Sequence, residues 1–310
     1  MKTIAMKSTL LLTLAACLTA NAQVVTPPPS QVDPIDWNIP KDPPAPAEQP
    51  EIVQPVSRPQ TPPMAPLPAL EYKSLVEKDA DGKIIQLREP IQLAAMRRNP
   101  MLTPDFLPSI QKFLDDRQVS INHLTVANLD IIERVDDGAF ENVDFQNRAS
   151  IRSLTDMIKP LTGSNKTMCE QLKADQKMTQ EQYRFNHKIS MEYITAVTKE
   201  RDAAKGLDKG GSAQALLMAL YKQNVDEYLT TYSRSMEVAC ARWNEVVSGI
   251  ELDAAAKARA IEVGKAVAAA PTEAEKLTAA KGLREGLTID QRKLFVERAI
   301  KLWMEQKASN

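Results

Sequence analysis

Residues that carry chemistry are scarce in this chain. Its 310 residues include 2 histidines and 3 cysteines. No Gly-x-Ser-x-Gly, P-loop or Gly-x-Gly-x-x-Gly pattern occurs. Metal sites and covalent catalysis draw first on those residue types and patterns. His123 and His187 have no Glu-x-x-His or His-x-x-x-His spacing around them, so neither a di-iron nor a zincin site is expected. The sequence assigns no catalytic residue, no metal and no cofactor. Glycine (10) and phenylalanine (6) are also few. Alanine, leucine, lysine, glutamate and glutamine are plentiful, a balance that favours helices over sheets. Neither sign of charge prevails: 39 basic and 40 acidic residues leave a net charge of −1. A neutral, finely mixed surface argues against a nucleic-acid groove and against a strongly basic membrane face.

Long apolar runs are missing too, apart from one at the start. Lys2 and Lys7 precede an apolar stretch from Leu10 to Leu18, broken by Thr13. It is too short to span a bilayer and reads as an export signal over residues 1–22. Ala20-Asn21-Ala22 places small residues where ordinary cleavage before Gln23 requires them. Leu14-Ala15-Ala16-Cys17 resembles a bacterial lipobox, which makes Cys17 a lipidation candidate. The two processing routes stand as alternatives. Both take the chain out of the cytoplasm, to the periplasm or envelope of a bacterium or beyond, and the only membrane attachment expected is the lipid anchor.

Proline is abundant in one place. Pro27 to Pro68 holds 15 of the 21 prolines. Apolar residues there are sparse and aperiodic, so no core can form. Residues 23–70 therefore read as a disordered, partly polyproline linker. At ~3.1 Å per residue it reaches at most roughly 150 Å.

Residues 71–310 read as one helical domain. Its organising stretch is Ala213 to Ile250. Met218, Tyr221, Val225, Tyr228, Tyr232, Met236, Ala239, Trp243, Val246 and Ile250 recur at steps of 3 and 4, one unbroken helical stripe. A second long helix carries Leu107, Ile110, Leu114, Ile121, Leu124, Ile131 and Val135, interrupted by Arg117 and Asn128 and closed by Gly138. A third runs from Asn165 to Lys205, with a nearly all-polar stretch over Lys173–Gln182 that is expected to project past the bundle. Residues 165–250 then form a long antiparallel helical hairpin. Residues 251–310 are alanine-rich helices capped at Asp253, Thr272 with Glu275, and Thr288 with Gln291. At the N-terminal edge, residues 71–89 place two β-prone runs around Asp79-Ala80-Asp81-Gly82, which predicts a β-hairpin. The fold class is all-α: an elongated bundle with that small hairpin at its edge.

Three groups are candidates for a role. Cys169 and Cys240 remain after export, and an even pair in an oxidising compartment is a disulfide candidate. Its loop of about 70 residues would be worth roughly 4 kcal/mol. In a straight hairpin, however, Cys240 faces a residue near 177, ~12 Å along the axis from Cys169. The bridge then needs the first arm to end early or its start to fold back; otherwise both are buried thiols. Tyr221, Tyr228, Tyr232 and Trp243 form the one aromatic row, either a partner face or core residues with outward hydroxyls. Carboxylate pairs such as Asp115-Asp116 and Asp136-Asp137 read as helix surfaces and ends.

Leu287-Thr288-Ile289-Asp290-Gln291 matches the L-T-x-x-Q motif of small helical periplasmic stress proteins with chaperone-like activity. Met178-Thr179-Gln180-Glu181-Gln182 is a looser echo. This five-residue resemblance implies an alternative function, the binding of unfolded clients. The leading expectation is a non-enzymatic envelope protein that binds another, unidentified protein or envelope component. A carboxylate hydrolase is the second alternative.

Overall fold

The computed structural model describes residues 66–310 apart from 141–142, 145–146, 163–165, 205–210 and 310. For 202, 204 and 211–219 it describes the backbone alone. The expected export signal, Cys17 and nearly all of the expected linker lie outside the described residues. The chain divides after Pro66, and the fold below is that of residues 67–310.

Helices dominate the described residues, and no strand forms among them. In chain order they are α1 (Ile91–Arg98), α2 (Phe106–Ser109), α3 (Gln111–Ala127), α4 (Leu129–Asp136), α5 (Arg148–Thr162), α6 (Met168–Ala174) and α7 (Gln180–Ala204). The long α8 (Gly211–Ala241) follows, then α9 (Trp243–Ser248), α10 (Ala254–Ala269), α11 (Glu273–Ala280), a 3-10 turn (Lys281–Glu285) and α12 (Ile289–Ser309). Helix α8 is the hub. It packs against α12, α7, α3 and α11, and touches α1, α4, α5, α9 and α10. Its expected stripe is the reason: Tyr221, Val225, Tyr228, Tyr232, Met236 and Ala239 are all buried, as are Trp243 and Val246 beyond it. Burying each large member is worth about 1.5–3 kcal/mol.

The stripe does not lie on one straight helix. At Arg242 the backbone leaves helical geometry (φ −124°, ψ 36°), and the guanidinium forks onto Glu245. The bend turns Trp243 toward α10, where its Nε1 donates to the carbonyl of Ala260 at 2.8 Å. The indole also packs on Phe295, centroid to centroid 4.9 Å.

The second expected helix is likewise divided. Asn128 (φ −111°, ψ 34°) separates α3 from α4, and its Nδ2 donates to the Leu124 carbonyl. A polar side chain that bonds back to its own turn competes with the backbone ladder. Helix α4 ends as the sequence implied. Gly138 sits at φ 89°, Ala139 N–H donates to Arg134 O and Gly138 N–H to Val135 O, the paired bonds of a Schellman cap.

Two expectations need correction. The stretch 165–205 is not one helix. It breaks between α6 and α7, with Gln176 at φ 56°. The polar run Lys173–Gln182 marks this turn rather than a projecting arm, and Met168, Cys169, Leu172 and Met178 around it are buried. The 71–89 hairpin is the second. Its turn forms, with Gly82 at φ 79°, but the pairing stops at a single antiparallel bridge, Lys78 to Ile84. The Ile85 carbonyl and both backbone groups of Leu87, which would have extended a ladder, bond instead to side chains of the helices.

Candidate functional site

That exchange of partners defines the most distinctive surface of the molecule. Residues 72–90 form a strap without regular structure, leading into α1. Glu200 of α7 accepts from the Ile84 N–H at 3.0 and 3.2 Å. The Tyr193 hydroxyl accepts from the Leu87 N–H at 3.1 Å and donates to the Ile85 carbonyl at 3.2 Å. From α8, Arg234 Nη2 donates to the Leu87 carbonyl at 3.4 Å. Asp226 Oδ2 accepts from the Ile91 N–H at 2.7 Å. Farther on, Asn186 Nδ2 donates to Gln92 O, and Gln182 Nε2 to Met101 O. From Ile84 to Met101 the α7 partners fall from 200 to 182, so this stretch runs against the direction of the helix.

Few side chains of the strap are sunk into the body. Leu75 and Ile84 are buried in a cluster with Ile91, Phe185, Ile189, Tyr193 and Ile194. Tyr72 lies edge-on to Phe185 (5.4 Å) and donates to Glu192 Oε2 at 2.5 Å. Burial pushes the Asp226 carboxyl up to about 7; the Ile91 N–H opposes this and Glu227 adds to it. Burial also raises the Tyr193 phenol, keeping it a protonated donor. A carboxylate, a phenol and a guanidinium thus address main chain. Pattern reading missed these residues because Tyr193, Glu200, Asp226 and Arg234 look like ordinary helix residues.

Two charged clusters tie α8 to neighbouring elements. Arg117 of α3 pairs with both carboxylate oxygens of Glu227 (2.8 and 2.5 Å) and reaches Gln171 and the Lys166 carbonyl. Burial alone would lower the Arg117 pKa, yet Glu227 leaves it raised. Glu133 of α4 takes Arg292 in a fork (2.9 Å to each oxygen) with Arg284 at 3.6 Å. Arg284 extends to Asp136, Asp137 and Tyr232, and Lys281 adds to the same acidic end. The cavity among Glu133, Tyr232, Arg284 and Arg292 encloses about 10 Å³, room for one water.

The structure disperses the sequence-nominated residues. Tyr221, Tyr228, Tyr232 and Trp243 do not form a partner face; all four are buried. Their polar atoms are used internally. Tyr228 donates to Leu161 O at 2.9 Å, Tyr221 meets Thr155 Oγ1 at 3.3 Å, and Tyr232 accepts from Arg284. Cys169 and Cys240 are free thiols rather than a bridge. The chain does fold back before α7, but that turn carries Cys169 into a pocket with Gln92 and Asn186, whose Nδ2 lies 3.0 Å from its Sγ. Cys240 instead lies in the field of Glu273 and Lys276 of α11. Burial pushes the two thiols up to about 12 and about 11. His187 is half-buried against Gln223 and Tyr183, its pKa lowered by burial; His123 is exposed.

Both segments of the L-T-x-x-Q pattern resolve into helix starts. Thr288 and Gln291 exchange the two bonds of a capping box at α12, and Thr179 and Gln182 do so at α7. The preceding Leu287 and Met178 are buried. Among the described residues no group of three or more His, Cys, Asp and Glu side chains converges as a metal site would, and no helix is long and apolar enough to cross a membrane. Comparison with known protein families, curated proteins and solved structures finds no match to this chain.

Proposed function

We propose that this is an exported, non-enzymatic helical protein of the bacterial cell envelope, a binding module carried on a proline-rich spacer. The observation that carries this reading is the junction at Tyr72. Four residues after Pro68, the last proline of the dense run, the chain acquires fixed contacts to Phe185 and Glu192. Upstream lie the export-type start and the run of 15 prolines. Such an order suits a folded body held at a distance from its point of attachment. The finer architecture belongs to the same proposal. Helices α7 and α8 pack together with only residues 205–210 between them, which supports an antiparallel hairpin at the centre of an elongated bundle.

Fractionation of cells making the wild type and Cys17→Ser tests the reading. A lipid anchor predicts wild type in the membrane fraction and the variant in the soluble periplasm. Signal cleavage predicts both soluble, with Gln23 as the first residue. Cytoplasmic protein with an intact start would end the proposal. Pull-down from envelope fractions then identifies the partner.

A further inference from the structure

We propose that the face formed by Tyr193 and Glu200 of α7 with Arg234 of α8 is a binding site for the main chain of an extended apolar peptide from another protein. Residues 72–89 occupy it as a resident mimic. This goes beyond the envelope reading and does not depend on where the chain resides.

Three observations lead there. The contacts over residues 84–87 address the backbone: Ile84 N–H, Ile85 O, Leu87 N–H and Leu87 O all end on side chains of α7 or α8. Main-chain contacts of this kind supply affinity with little regard to sequence, and apolar pockets add the preference. The apolar part is small. Leu75 and Ile84 are the strap's buried residues, with Tyr72, Val76 and Leu87 partly covered. A second extended segment with two or three apolar residues meets those demands. Finally, the strap holds itself weakly. Most of residues 71–89 are exposed, Ile85 at 47% among them, and they form one bridge instead of a ladder. Segments with few buried side chains open at a fraction of the global unfolding free energy. Opening leaves Glu200, Tyr193 and Arg234 in place on their helices, free to take an incoming backbone.

The test uses the full chain and a fluorescent synthetic peptide with the sequence of residues 70–91. Leu75→Asp with Ile84→Asp removes the strap's two buried anchors and changes no helix residue. Anisotropy should show the peptide binding this variant at least tenfold more tightly than wild type. A peptide with aspartate at the two anchor positions should not bind. A peptide with other apolar residues at the same spacing should bind within a few-fold. If only the chain's own sequence binds, the site serves exchange between copies, and the proposal of a foreign peptide falls. A folded variant that tryptic cleavage after Lys83 shows to be open, yet that binds no peptide, also overturns it. Should the variant fail to fold or to open, wild type decides. Excess unlabelled peptide must speed tryptic cleavage after Lys83 several-fold, and an unchanged rate refutes the site.

Discussion

Gln291 donates from Nε2 to Asp253 Oδ2 at 2.7 Å while its Oε1 accepts from the Thr288 N–H at 2.9 Å. One amide therefore closes the start of α12 and ties it to the residue that starts α10, since Asp253 Oδ1 accepts from the Ala256 N–H. Gln182 repeats the device at α7, holding the Thr179 N–H and the Met101 carbonyl. A glutamate closes a capping box equally well but has no proton for the second partner.

Gln291→Glu should accordingly lower the melting temperature at pH 7, although it keeps the box. The Ala256 N–H, with Gln291, holds the Asp253 carboxyl below its usual range. Its contribution is complete above the unfolded value of 3.8 and fades as pH falls through the lower folded value. The gap in melting temperature between wild type and Asp253→Asn should thus be constant near neutrality and shrink below about pH 4. A gap that widens with acid would contradict the assignment.

Gly264 lets α10 approach the bent start of α9. A Cβ there would lie 2.5 Å from Cδ1 and Nε1 of Trp243. The indole is held by Ala260 and Phe295 and has little room to retreat. Gly264→Ala should cost about 1–3 kcal/mol by overpacking, with a shift in tryptophan emission. Gly282 is the control. Its Cβ would meet Val263 at an ordinary 3.4 Å, so Gly282→Ala should change urea stability little.

Both thiols should be found reduced in native protein. Cys169 should resist alkylation until the chain unfolds, because burial disfavours its thiolate. Cys240 is less covered and should react first, though slowly. Peptide mapping without reductant checks this directly, and a Cys169–Cys240 cross-link would refute the observed placement.

Sequence pattern reached the helices wherever burial is periodic. Tyr221, Val225, Tyr228 and Tyr232 are buried as their spacing implied, and the caps at Asp253, Thr272, Thr288 and Gly138 lie where expected. Interruptions were harder to see. Arg242 bends the chain with neither proline nor glycine, for the sake of Trp243's contacts with residues 17 and 52 positions away. The hairpin expectation failed for a related reason. Local propensity around Asp79–Gly82 is real, but Tyr193 and Arg234, over 100 residues distant, outcompete the first strand for the Ile85 carbonyl and for both backbone groups of Leu87. The strap face was therefore invisible, since each of its groups acquires meaning only from what lies across from it.

Glu133 should be the costliest carboxylate to remove. It is nearly buried, is forked by Arg292, and lies close to Arg284. Glu133→Ala leaves Arg292 with only the Leu287 carbonyl among these contacts, and breaking such a pair costs about 3–5 kcal/mol. Asp137, half exposed although it meets Arg284 and Lys281, should cost under about 1 kcal/mol. Chemical denaturation of both variants checks the order, and a larger loss at Asp137 would reverse the ranking.

Asp226 should make the molecule less stable as pH rises toward neutrality, opposite to the usual effect of a paired carboxylate. Its folded value, raised by burial to about 7, lies above the unfolded 3.8. Within that window the folded state holds a proton that the unfolded state has released, so stability declines with increasing pH. The favourable contribution is complete below 3.8 and gone once pH passes about 7. The groups around the carboxyl set this balance: Glu227 favours the proton, while Lys222 and the Ile91 N–H favour the charge. The residue keeps some solvent contact, which limits the size of the effect but not its sign. Asp226→Asn keeps an oxygen to accept from Ile91 and has nothing to titrate. Urea midpoints measured at pH 5 and pH 8 should therefore fall farther for wild type than for Asp226→Asn. Equal falls would show that the carboxyl titrates normally and that Ile91 holds it as a charged cap.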